Sequence, residues 1–462
     1  MVFISSMVDF LNNILWSYVL IILLIGAGLL FSFQTKFVQF RLLKEMIILL
    51  KEGTGGVKNG VSSFQAFCIS TASRVGTGNL AGVALAVAIG GPGAVFWMWL
   101  IALLGAASAF VESTLGQLYK EKRGDNFVGG PAYYIEKALN LKWLGVTFAI
   151  LISITYGLVF NSVQSNTISF AFNRAFGLNR SYAAIILFAL TGLIIFGGIK
   201  RIAGVVSKIV PIMAVLYVTV VFIILAMNIT KIPGIFMLII SDAFGPQQFA
   251  GGAIGIAMMQ GIKRGLFSNE AGMGSAPNAA ATAHVSHPVK QGLVQTLSVF
   301  TDTIIVCSST AFLILITGIY KNSDLSGIQL TQEALTSQIG SFGEIFIAIC
   351  IFLFAFSSLI GNYYYGEANI QFLSKNKFYL NLYRLSCLLM IAFGSVAKLG
   401  FVWNLADLFM GLMTIINIYA IIRLGKIAKR CLDDYLSQKA AGKDPVFKAE
   451  DIGLTEHVEC WK

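Results

Sequence analysis
The chain has 462 residues, of which 56% are hydrophobic and 12% charged, whereas a soluble domain carries about 25% charged residues. That balance excludes a water-soluble globular domain. The formal net charge of +11 therefore reads as the basic anchors of a membrane protein rather than as a nucleic-acid footprint.

Apolar runs long enough to cross about 30 Å of hydrocarbon as helix recur throughout the chain. None shows the ten-residue alternation of a membrane barrel, so the fold class is all-α. In order, the expected spans are 11–33, 61–90, 92–119, 143–172, 182–198, 203–227, 248–283, 291–319, 341–371, 378–396 and 401–422, eleven in all. The N-terminal MVFISSMVDF lacks the basic stretch and cleavage site of a signal peptide, so the first helix is expected to remain in the mature protein. Between it and the second span, residues 34–58 are too charged to cross a membrane but keep apolar residues at helical spacing. They read as an amphipathic helix on the membrane surface, with a solvated linker as the alternative.

With the N-terminus outside and the C-terminus inside, Lys36, Arg41, Lys44, Lys51, Lys120, Lys122, Arg123, Lys200 and Arg201 fall on the inner side. Arg174, Arg180, Lys231, Lys321 and Lys398 fall outside. This is the skew of the positive-inside rule, and it places the chain in the cell membrane with its polar tail in the cytoplasm. The six cysteines form no C-x-x-C pair and there are three histidines, a usage that favours neither a disulfide framework nor a zinc site.

Two spans are interrupted. Gly76-Thr77-Gly78-Asn79 lies within the second and Gly272-Met273-Gly274-Ser275 within the seventh. Small residues in a membrane helix also mark close packing, but their equivalent positions favour two broken helices. Ser275 before Pro277 reads as a helix beginning afresh. Five spans separate the two, so equivalent helices run in opposite directions, the pattern of an inverted repeat. The organisation is then 1–60 for the added N-terminal helix and surface segment, 61–228 and 247–430 for two five-helix repeats, and 431–462 for a tail. Helices broken near mid-membrane turn free N–H groups toward an anion and free carbonyls toward a cation. A zwitterion with an alkali cation satisfies both.

FQAFCISTASRVGTGNLAGVA (64–84), GGPAYYIEKAL (129–139), KRGLFSNEAGMGSAPNAAATA (263–283) and LFAFSSLIGNYYYGE (353–367) together resemble the alanine-or-glycine:cation symporters, sodium-coupled carriers with a leucine-transporter-like fold. The resemblance implies that the amides of Thr77 and Gly78 hold the substrate carboxylate beside Asn79. Phe267, Ser268, Asn269 and Met273 would line the same pocket with Gln164. For sodium it implies the carbonyls of Ala72 and Val75 with the hydroxyls of Ser357 and Ser358. Members selective for the smallest amino acids carry Trp where this chain has Asn362. Alanine or glycine is the first expectation and glutamine the alternative, with sodium as the coupling ion, proton coupling as a further alternative, and no organic cofactor.

Arg74, Glu112, Lys263, Arg264, Glu270, Asp302 and Glu367 fall in or near spans, where charge is costly and each is a functional candidate. Glu112 and Glu367 read as helix-end residues reaching the interface, and Arg74 with Glu270 as a pair flanking the breaks. His284 and His287 read as interfacial. An intramembrane enzyme would need a catalytic set or an H-E-x-x-H pattern, and the sequence holds neither. A passive channel, the other rival, would need no paired cradle for carboxylate and cation.

Overall fold
The computed structural model describes residues 2–55, 60–245, 255–321 and 324–461. Among the described residues, eight helices are long and apolar enough to cross a membrane: α1 Ser5–Gln34, α5 Gly93–Leu118, α7 Lys142–Phe176, α9 Gly198–Met227, α13 Pro288–Thr317, α15 Phe342–Leu373, α16 Lys377–Val396 and α17 Leu399–Ala440. Two further helices, α3 Ser63–Arg74 and α4 Gly78–Gly90, pass that test as one span bent by 46°. The shorter α8 Arg180–Ile195 is also apolar. The second interrupted segment is α11 Ile256–Asn269 and α12 Ala276–Thr282; the start expected at 248 lies outside the described residues.

Both interruptions have a local cause. At the first, Val75 leaves the helical region (φ −78°, ψ 85°), and a Cβ on Gly76 would collide with Ser358 Oγ. At the second, Glu270 (φ 56°), Gly272 (φ 88°) and Gly274 (φ 85°) are left-handed, a conformation glycine adopts freely and a side-chain-bearing residue rarely. Pro277 then occupies the first turn of α12, where its missing N–H costs nothing.

Residues 34–58 hold a helix, α2 Leu43–Glu52, with Met46 and Leu49 buried. Hydropathy did not disclose the hairpin β1 Glu121–Arg123 and β2 Asn126–Val128 or the short helices α6 Pro131–Leu139, α10 Ile232–Ala243 and α14 Ile328–Ile339. The last span also runs further than expected. α17 continues to Ala440, so a boundary at 430 falls inside it.

α3, α5, α7, α12, α13 and α15 form the buried interior, and α9 and α16 turn large apolar side chains such as Ile212, Phe222, Leu382 and Leu389 outward. α3 begins where α12 ends: Val61 N donates to Thr282 O (3.2 Å) and His284 N to Val61 O (3.0 Å). The start of the first broken helix and the end of the second are therefore stitched together. The hairpin, α2 and residues 441–461 gather at that end with Lys120, Lys137, Lys290 and Lys439, and it is called the basic end below.

Candidate functional site
Backbone and side chains converge at the first break. Ser358 Oγ lies 2.7 Å from Ala72 O and 3.5 Å from Val75 O, so a hydroxyl from α15 meets carbonyls freed where α3 ends. The Thr77 N–H donates to Gln164 Oε1 (3.0 Å) and the Gly76 N–H to Asn79 Oδ1 (2.9 Å). Gly78 abuts Phe267 and Ser268 of α11 closely enough that a Cβ there would stand 3.1 Å from both. Ala72, Val75, Thr77, Gly78, Asn79, Gln164, Phe267, Ser268 and Ser358 are thus brought together, all almost fully buried.

Four other residues singled out by the sequence stand differently. Ser357 turns its hydroxyl to Phe354 O (2.8 Å) and Met213 Sδ (3.6 Å), away from those carbonyls. Asn269 folds its side chain onto its own loop, accepting from Ala271 N (3.0 Å). Met273 is buried in the second break and bonds through its backbone to Glu270 O (3.2 Å). Asn362 ties one end of its amide to Ser73 Oγ (2.7 Å); the other end is buried without a partner among the described residues.

Asp302 completes the centre. Its carboxylate accepts from Asn79 Nδ2 (2.7 Å), Ser268 Oγ (2.7 Å) and Thr303 Oγ1 (2.8 Å). Asn79 and Asp302 both lie in widened π-helical turns, Gly78–Gly82 and Phe300–Cys307, a local irregularity common at functional sites. An acidic residue inside QTLSVFTDTIIVC was the available signal, but nothing in the sequence paired it with Asn79.

The expected interfacial place for Glu112 is overturned. It is fully buried, and its carboxylate accepts from Gly272 N (3.1 Å), Gly274 N (3.0 Å) and Asn417 Nδ2 (2.7 Å). It thereby satisfies the amides that the second break frees. Arg74 and Glu270 do not pair directly. The guanidinium donates to Gln295 O (3.1 Å) and Ser298 Oγ, while Glu270 accepts from Ser73 Oγ (2.9 Å) and Ser275 Oγ (2.7 Å). Glu367 lies 3.5 Å from Arg384.

Toward the end away from the basic one, Arg264 Nη2 meets Asp407 Oδ2 at 2.6 Å and Lys263 Nζ meets it at 3.4 Å. Trp403 lies under the Arg264 guanidinium (4.6 Å) and beside Phe267 (4.7 Å). Asp407 escaped the sequence reading as a lone acid in LADLFMGLM. At the basic end, burial pushes the His287 imidazole down to about 4. The ring caps the start of α13 by accepting from Val289 N (3.2 Å) and meets Asp434 through Nε2 (3.0 Å).

The family model described as the sodium:alanine symporter family matches residues 1–449. The probable sodium/glutamine symporter GlnT of Bacillus subtilis (strain 168) is 57% identical, over 99% of this chain and 96% of its own length. The amino-acid carrier protein AlsT of the same organism is 52% identical, over 100% of this chain and 98% of its own. The sodium/proton-dependent alanine carrier protein of Bacillus sp. (strain PS3) is 40% identical, over 87% and 94%. Among solved structures, MhsT in complex with L-phenylalanine shares the fold, with a TM-score of 0.59 at 16% identity over 82% of this chain and 96% of that one.

Proposed function
Because the chain belongs to the sodium:alanine symporter family, it is a membrane transporter and not an enzyme, and we propose that it carries a neutral amino acid into the cell with sodium by alternating access. The observation that carries this reading is the meeting of Ala72 O, Val75 O and Ser358 Oγ beside the Thr77 amide. Hard oxygen ligands for an alkali cation thus adjoin an N–H at the start of a half-helix, which suits a carboxylate. Gln164 Oε1 accepts from that N–H, as a carboxylate oxygen would. Phe267 and Ser268 close the other side of Gly78.

We infer eleven spans: the eight long helices, the bent pair α3 and α4, the short α8, and the pair α11 and α12. Spans two to six and seven to eleven form an inverted repeat with α1 added, a reading supported by the equivalent places of the two breaks and by the meeting of the start of α3 with the end of α12. The basic end faces the cytoplasm and the N-terminus lies outside, in keeping with the distribution of Lys and Arg. Sodium orders the break and completes the amino-acid site, so each ligand raises affinity for the other.

Asn362 favours glutamine over the smaller amino acids. It supplies a buried amide end without a partner among the described residues where small-substrate members of the family carry Trp, and a substrate amide would satisfy it. The test is uptake of labelled glutamine, alanine and glycine into proteoliposomes, with an inward sodium gradient or none at constant pH. Sodium-driven accumulation of glutamine above the other two is expected. Accumulation of alanine or glycine alone would return the substrate to the smaller class, and equilibration without accumulation would refute coupling.

A further inference from the structure
Residues 443–461 return from α17 and seat two aromatics, Phe447 and Trp461, against the basic end. Trp461 is 6% exposed; its Nε1 donates to Gln117 O (3.0 Å) and its ring lies 4.9 Å from Lys120 Nζ. Lys120 also faces the Phe127 ring (4.2 Å) and donates to Ala283 O (2.9 Å), just beyond α12. Phe447 packs edge-on against Trp461 (5.5 Å) and His287 (5.0 Å), and its N–H donates to Ser286 O (2.9 Å). Ser286 Oγ donates to Pro445 O (2.9 Å) and Lys290 pairs with Asp444 (2.6 Å). Ala449 N donates to Trp461 O (2.9 Å), closing the tail on itself so that both aromatics are presented together.

The same segment holds other helices. Glu459 pairs with Lys137 of α6 (2.9 Å), and Ile452 O accepts from Arg430 of α17 (2.8 Å). Gln117 in the last turn of α5 and Lys120 just beyond it grip the end of α12, which is stitched to the start of α3. The basic ends of both broken helices therefore form one unit, and the tail joins that unit to α6 and α17. Moving that unit relative to α6 and α17 would strain the contacts that the tail bridges.

We propose that residues 443–461 are a strap on the cytoplasmic side, docked on the Lys120–Phe127 surface while the site is closed there and released when it opens inward. The strap rests on the alternating-access reading above. Cys460 is a built-in reporter: it is half-buried, with Sγ 3.5 Å from Lys120 O, and the other five cysteines are buried. The experiment is maleimide labelling of Cys460 by a membrane-impermeant reagent in inside-out vesicles holding the full chain, in sodium and in sodium-free choline buffer. Sodium is expected to hold the inward side shut, so wild-type labelling is at least about threefold faster in choline, because labelling follows the open population. In Trp461→Ala that ratio collapses toward one. Glu459→Gln, at an exposed position, shifts it the same way to a smaller extent should Trp461→Ala fold poorly. A wild-type ratio of one, or variants with the wild-type ratio, overturns the strap. Sodium-driven uptake that persists alongside such a result would leave the transport reading standing, whereas loss of coupling in wild type would remove both.

Discussion

Ser357 and Ser358 are adjacent in sequence but belong to different surroundings, since one residue along a helix turns the side chain by about 100°. Ser358 meets the freed carbonyls of Ala72 and Val75, while Ser357 faces Met213 on α9. Ser358→Ala is therefore expected to raise the sodium concentration for half-maximal uptake about tenfold, equivalent to about 1.4 kcal/mol. Ser357→Ala should change it little, and sodium titrations of uptake into proteoliposomes compare the two. Equal effects would bring Ser357 into the cation site. Asn362→Trp fills the space beside Ser73 with an apolar ring, so glutamine uptake should fall while alanine and glycine uptake persist. Loss of all three would mean that the site had merely been disrupted. The Gly-x-Gly-Asn motif and its likeness to known carriers made the carbonyl set readable. Which of two neighbouring serines turns inward is decided by packing, and a linear pattern does not encode it.

The broken helices were legible because glycines and a proline interrupt otherwise apolar spans. What satisfies the exposed backbone was not, because the partner comes from a distant element. Glu112 sits on α5 near the end of a hydropathy run, so its position suggested an interface, yet it receives two amides from the second break and the Asn417 side chain. Three donors converge on one carboxylate. An amide in its place offers a single acceptor oxygen and turns its NH2 against another donor. Glu112→Gln is accordingly expected to cost on the order of 1–3 kcal/mol and to lower the thermal midpoint of the detergent-purified protein. Uptake should fall with it. An unchanged midpoint would show that the loop between α11 and α12 keeps its shape without this anion. The helices missed by hydropathy, α6, α10 and α14, are too short to register as spans, and their apolar faces become evident only against the bundle.

At the scale of the molecule, the two ends of the bundle are held by different contacts. The basic end carries backbone stitching and the tail. The opposite end carries a buried charge cluster in which Arg264 and Lys263 share the single carboxylate of Asp407. Trp16 Nε1 donates to Asp407 O (3.2 Å), tying α1 to the same cluster. Arg264 lies one turn before Phe267 and Ser268, so the cluster stands between the amino-acid site and the extracellular side of the proposed orientation. A buried ion pair contributes little net stability, but removing one partner strands the other charge at a cost of about 3–5 kcal/mol. The cost falls on the closed arrangement, because only there are the cations kept from water. Asp407→Asn is thus expected to favour the outward-facing form. Sodium-dependent binding of the amino acid to purified protein should persist, while uptake slows at least about tenfold, a change equivalent to 1.4 kcal/mol. Binding and uptake lost together would make Asp407 a support for the site itself, because a residue that acts only in closure leaves the open binding site intact.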